Sequence, residues 1–361
     1  MFSLRPLNAY LRRLSGRGAP DLFAAAQETW EVAPGSGRYV PPALFLPGQI
    51  ERIRTTEFAP LDMVAKAFRG DYETFEDATI GARFRNVDLV DGVLYADGAQ
   101  RHLRAKSSRP LAYRVPTEVM SGAMYESWVG NRWFGNWLSD DTMAYLLAET
   151  AGTVVTTRTR RTGHVPRYEE LLGMDPLRRD RVHFDELILF EDLPHNASKS
   201  RRCAEVRRRL LAGRRCQSTA GVFLLRGDSG DARVMTNERQ IADELARTYG
   251  FHVLDPATAT VDEIVELCGH APVVAGVEGS HLVHGLVVMP PQATLLAFQP
   301  PDRTVAALKT ITDRQEQRYA FIVGEGTSDA FSVDWTEVRR TLDLIAKAGE
   351  PRLQEVAVVG S

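Results

Sequence analysis

The alternation of apolar and polar positions divides this chain into two unlike halves. From about residue 216 onward, short apolar runs recur with helix-period segments between them: Val222–Leu225, Phe251–Leu254, Val273–Ala275 and Thr294–Phe298 read as strands. A helix is expected from Glu238 to Thr248, opened by Asn237 and Gln240 in capping-box spacing and closed at Gly250. A second starts at the Thr260–Glu263 box and stops at Gly269. Strands alternating with helices imply right-handed crossovers and a parallel sheet, and such sheets take ligands at the carboxyl ends of their strands.

The first half patterns differently. Glycine and proline crowd residues 17–49, which are expected to be mostly loop with short strands. Residues 86–98 (NVDLVDGVLYADG) alternate as a hairpin does, with Asp91-Gly92 in the turn. A helix is expected from about Asp140 to Thr150, followed by strands at Thr153–Thr157 and within Arg181–Phe190. Residues 198–212 (SKSRRCAEVRRRLLA) form a basic helix closed by Gly213, read as a linker between domains. The resulting division is an N-terminal domain over 1–197, a linker helix over 198–215 and a C-terminal domain over 216–310. Residues 311–361 add a strand and a helix, candidates to pack back on the N-terminal domain.

Composition narrows the function only a little. At 361 residues and 44% apolar, the chain has enough material for proper cores, and a net charge of −3 removes any whole-protein argument for nucleic acid. The basic clusters Arg158–Arg161 and Arg201–Arg215 read as solvated faces. Three cysteines without CxxC spacing argue against a disulfide framework and for a reducing cytoplasm. No apolar run approaches the roughly 20 residues of a membrane span, and no signal peptide is visible. The opening FSLRPLNAYLRRLSGR sets Phe2, Leu4, Leu7, Leu11 and Leu14 among Arg5, Arg12, Arg13 and Arg17, with no acid before Asp21. A helix docked on its own domain is the favoured reading. Peripheral contact of residues 1–17 with the inner face of a membrane is the alternative.

Candidate chemistry sits in the loops after two strands. Arg226 and Arg233 lie between a strand and the Asn237-Glu238 helix start, where guanidinium groups and unsatisfied amides suit a diphosphate; the bland alternative is a surface loop. VVAGVEGSHLVHG, residues 273–285, leaves its strand through Glu278, Gly279 and Ser280 and enters a short helix carrying His281 and His284. Two histidines at that spacing with no third ligand read as packed or capping groups. Asp228 and Asp231 lack DxD spacing, so no metal is expected.

In order and spacing, Arg-(x6)-Arg-(x3)-Asn-Glu, GFHVLDP and GVEGSHLVHGLVVMPP resemble the C-terminal half of glycosyltransferase family 61. WFGNWLSDD, residues 133–141, resembles that family's aromatic element in the N-terminal half, and the resemblance spans about residues 128–301. It implies a GT-B-like α/β fold, two Rossmann-like domains facing a cleft, and an inverting transfer in cell-surface polysaccharide synthesis. It further implies a nucleotide sugar, with UDP favoured, a glycan or lipid-linked glycan acceptor, and no separate cofactor. Arg226, Arg233, Asn237, Glu238, Gly279, Ser280 and His281 would hold the donor, and Trp133, Asn136 and Trp137 the acceptor. The base would be Asp140 or Asp141, whose bland role is helix capping. Glu278 competes as base or as partner of sugar hydroxyls. The aromatic residues have a core role as their alternative. Asn136 and Glu278 stand where many members carry histidine, which puts an inferred catalytic histidine in doubt. That leaves two rivals: a catalytically degenerate nucleotide-sugar-binding protein, and a nucleotide-sugar epimerase of similar architecture.

Overall fold

The computed structural model describes residues 1–15, 21–96, 98–105, 111–158, 162–227 and 233–349. It is a mixed α/β structure with two principal sheets. In the C-terminal half, Val222–Leu224, His252–Leu254, Val273–Val277, Thr294–Gln299 and Arg318–Val323 form a five-stranded parallel sheet. Numbered by sequence, its order is 2-1-3-4-5, a doubly wound arrangement that reverses direction beside the first strand. These strands read as continuous apolar runs because helices cover both faces. On one face Ile241, Ala242 and Leu245 join Val338, Leu342 and Ile345; on the other lie Ile264, Val265, Leu286 and Leu308.

The fifth strand falls in the segment set aside as 311–361. It hydrogen-bonds to Thr294–Gln299, and helix Trp335–Gly349 packs its apolar face on this same sheet, meeting the N-terminal half through Glu337, which accepts from Arg52 and Gln49. Arg318–Val323 is buried along nearly its whole length, which gives an apolar run little reason to remain outside the sheet. Asn237 also departs from expectation. Its side chain makes no capping bond, whereas the Thr260–Glu263 box forms in both directions.

The N-terminal half differs from the Rossmann-like domain expected of it. Its eight-stranded sheet is mixed: Thr79–Val90 pairs antiparallel with Glu28–Ala33, Val93–Ala96 and Arg181–Glu191, while Val119–Met124 lies parallel to Arg181–Glu191 and Val154–Thr156. A short hairpin imposes the pairing of Thr79–Val90 with Val93–Ala96, and at its Asp91-Gly92 turn both residues have positive φ, 50° and 70°, the twist a two-residue hairpin requires; the other two antiparallel partners come from distant segments of the chain.

Helix Ala197–Leu211 is wedged between the halves. Cys203, Val206 and Leu210 join one hydrophobic core with Trp137, Tyr168, Leu282 and Leu286, so both halves share an interior. The arginines here are less solvated than their clustering suggests. Arg202 pairs with Asp192 through both nitrogens at 2.7 Å. Arg207 donates to the carbonyls of Val288, Met289 and Gly269, groups that helix ends leave unsatisfied. Arg201 and Arg208 remain exposed. No helix among the described residues is long and apolar enough to cross a membrane.

Candidate functional site

Strands Val222–Leu224 and Val273–Val277 are neighbours, yet the chain leaves them toward opposite edges of the sheet, which opens a crevice at their carboxyl ends. Arg226 and Arg233 follow the first strand; Glu278, Gly279 and Ser280 follow the second. Arg233 Nη1 donates to the Glu278 carbonyl at 2.9 Å and also pairs with the Glu278 carboxylate, both groups being buried. Arg226 Nη1 lies 3.5 Å from the same carbonyl. A Cβ at Gly279 would stand 2.2 Å from Arg226 Nη1, so any side chain there would push the guanidinium out of its present place. The amides of Gly279 and Ser280, at the start of the short helix, have no acceptor among the described residues.

Asn237 and Glu238 shape this crevice rather than face it. Glu238 accepts the backbone N–H groups of Arg226 at 2.8 Å and Gly227 at 3.1 Å, which fixes the path of the arginine loop. Asn237 clasps Val333, donating to its carbonyl at 2.9 Å and accepting its N–H at 3.2 Å. Asp228 and Asp231 lie outside the described residues.

The aromatic element from the other half reaches the same place. A Cβ on Gly135 would lie 3.0 Å from Ser280 Cβ and Oγ, so the two recognised motifs meet backbone to side chain. Within that element the roles separate. Trp137 is wholly buried against Phe134 and Tyr168, a core ring rather than an acceptor platform. Trp133 is half-buried, with its ring edge-on to the exposed Phe58 and the Arg132 guanidinium 4.5 Å from its centre. His281 and His284 do not act as a pair. His284 stacks on Phe134 and meets the Tyr168 hydroxyl at 2.8 Å. Burial and the charge of Arg226 push His281 down to about 3, so it is neutral. No cluster of three metal-ligating side chains occurs among the described residues.

Beside Asn136 opens a cavity of 320 Å³ whose lining includes Asp140, Asp141, Glu126, His195 and Lys199. Trp137–Asp141 forms a π-helical turn, and its two consecutive aspartates leave it in different directions, as successive residues of a helix do. Asp140 Oδ1 accepts from Arg314 at 2.9 Å and lies 3.2 Å from Lys199 Nζ, and Oδ2 accepts from Ser139 at 2.9 Å and Asn136 at 3.4 Å. Burial opposes its charge, but Arg314 and Lys199 outweigh burial and hold its carboxyl well below the usual carboxylate range. Asp141 is tied to the Ser127 hydroxyl at 2.7 Å, and burial pushes its pKa up.

Two groups that line this cavity, His195 and Lys199, and one that stands behind it, Arg314, have no motif. Arg314, fully buried, bridges Asp140 and His195 Nδ1, the latter at 3.1 Å. Because a guanidinium only donates, Nδ1 must accept, which places the His195 proton on Nε2. Lys199 is one of only five lysines in the chain and is buried. Its signal was Asn196, which caps the helix by accepting the Lys199 N–H at 3.1 Å and so starts the helix before Ser198.

A sequence model of the family described as Glycosyltransferase 61 matches residues 49–296. No curated protein matches the chain. Two mutants of a flavo di-iron protein from Thermotoga maritima, each 12% identical, overlay with a TM-score of 0.27, covering 75% of this chain and 65% of theirs. The chain thus spans less than two thirds of the length of those structures, and a TM-score of that size supports no statement about fold or activity.

Proposed function

The chain belongs to the glycosyltransferase 61 family, and from that premise we propose that it is an inverting glycosyltransferase moving a sugar from a nucleotide diphosphate to a hydroxyl of a glycan. The observation that carries this reading is the contact between Gly135 and Ser280, which joins the N-terminal aromatic element to the turn at the sheet's switch point. Open parallel sheets take ligands at that point. Here the C-terminal half is the donor side and the N-terminal half the acceptor side, a GT-B-like division of labour built on one parallel and one mixed sheet. Arg226, with the amides of Gly279 and Ser280, stabilises the departing diphosphate without a metal, UDP being the favoured nucleotide. Arg233 acts through Glu278, whose carboxylate it holds away from the phosphates. The 320 Å³ cavity has room for a sugar unit of the acceptor.

Asp140 is the base in this reading, because its side chain is 25% exposed whereas that of Glu278 is 6% exposed and Asp141 is closed off. The acceptor oxygen attacks the anomeric carbon as the bond to the diphosphate breaks, and its proton passes to Asp140. A carboxylate of lowered pKa can take that proton only late, when the new bond has acidified the hydroxyl. Cell-surface polysaccharide is the expected product. Titration calorimetry with UDP tests the donor site: Arg226→Ala should weaken binding by about 1.5–3 kcal/mol. Asp140→Asn should preserve that affinity and lower turnover about a hundredfold or more. Unchanged UDP binding in Arg226→Ala would overturn the donor assignment.

One observation favours a second reading. Among the described residues, Arg314, Lys199, Ser139 and Asn136 already occupy both oxygens of Asp140, as expected of a nucleotide-sugar-binding protein that has lost catalysis. Such a protein would bind UDP and release no sugar to any glycan acceptor.

A further inference from the structure

The first residues of the chain present a surface that the transfer reading does not use. Helix Arg5–Leu14 is held to the body by its small side: Pro6 and Ala9 are buried. Leu7 N donates to Leu111 O at 3.1 Å, Arg5 pairs with Asp88 at 2.8 Å, and the preceding strand Phe2–Ser3 pairs with Tyr113–Arg114. The larger apolar residues are left outside. Leu4, Leu11 and Leu14 are 54%, 51% and 67% exposed, and half-buried Leu7 completes their stripe at alternating spacings of three and four. Phe2, Tyr10 and Leu111, also more than half exposed, extend the apolar surface.

A helix docked only for stability would turn its leucines inward and its small residues out; this one does the reverse. We propose that the leucine face lies on an anionic lipid membrane, with the helix parallel to the surface. Charge selects this occupant over a second copy of the chain. Residues 1–20 contain Arg5, Arg12, Arg13 and Arg17 and no aspartate or glutamate; Arg5 is already answered by Asp88, so the remaining positive charge of the segment comes from the other three. Two such helices laid stripe to stripe would bring like charges together with no carboxylate of the segment to answer them. Anionic headgroups supply the countercharge, and the acyl boundary covers the leucines.

Co-sedimentation of the full chain with vesicles tests the proposal and does not depend on any transfer activity. Wild-type protein should bind vesicles of equal parts phosphatidylcholine and phosphatidylglycerol, should not bind pure phosphatidylcholine, and should dissociate as salt rises. Leu11→Asp combined with Leu14→Asp should lower the bound fraction by roughly tenfold or more. Arg12→Glu, an exposed change that leaves the leucines intact, should lower it several-fold and decides the matter if the double variant misfolds. Failure of wild-type protein to bind the anionic vesicles, or equal binding by either folded variant, overturns the proposal. So does a dimer in light scattering that the double variant abolishes, because the second copy would then be the occupant.

Discussion

Arg314 shows how one residue can organise a cavity from the far end of the sequence. Its guanidinium neutralises Asp140, fixes the tautomer of His195 and donates to the Ser139 carbonyl, all without exposure to solvent. Arg314→Ala would strand Asp140 with Lys199 as its remaining cation, and urea unfolding should register a loss of about 3 kcal/mol, the scale of removing one partner of a buried pair. A loss below about 1 kcal/mol would mean that the pair behaves as a surface one. His195 makes a separate prediction about pH. Burial, and then the charges of Arg314 and Lys199, push it from 6.5 down to about 3. Between those values the unfolded chain binds a proton that the folded chain refuses, so stability must fall as pH is lowered through this window. His195→Gln should flatten that part of the stability–pH curve; an unaltered slope would remove His195 as its source.

Elements hold some of these residues in roles that their motifs did not announce. Asn237 stands at a helix start with ideal capping chemistry, yet its amide spans two backbone groups of Val333, whose strand neighbour Phe331 belongs to the core of the parallel sheet. Asn237→Ala should therefore cost about 1–3 kcal/mol through unmade bonds, and Asn237→Ser, an equally good cap, should not restore it. Restoration by serine in thermal unfolding would return the residue to a capping role. The hairpin at Asp91-Gly92 and the box at Thr260–Glu263 did form as read, because each depends on residues within one turn of each other.

At the scale of the whole molecule, the shared core makes the two halves one cooperative body. Trp137 and Tyr168 from the first half pack in the same cluster as Leu282, Val283 and Leu286 from the second. Trp137→Ala should cost about 3–5 kcal/mol, and urea unfolding followed by fluorescence and by circular dichroism should shift as a single transition. Separate transitions for the halves would show that the interface between them is marginal.

Local pattern was sufficient for four of the five strands of the parallel half and for where in that half the loops of the crevice lie. Apolar runs of strand length, capped helices between them and loops of distinctive composition at the strand ends determined the sheet type and brought Arg226, Arg233 and Glu278 to its carboxyl edge. Such signals are short-range, since they report what a few neighbouring residues can satisfy among themselves. Tertiary structure alone decided which partners those side chains found. It paired Glu278 with Arg233, buried Trp137, gave Arg318–Val323 to the parallel sheet and set Arg314 and Lys199 on Asp140. It also turned the leucines of the first helix outward while its small residues docked. Burial and charge pairing depend on groups hundreds of residues apart in some cases and on which face of an element is covered, and periodicity along a single segment carries neither.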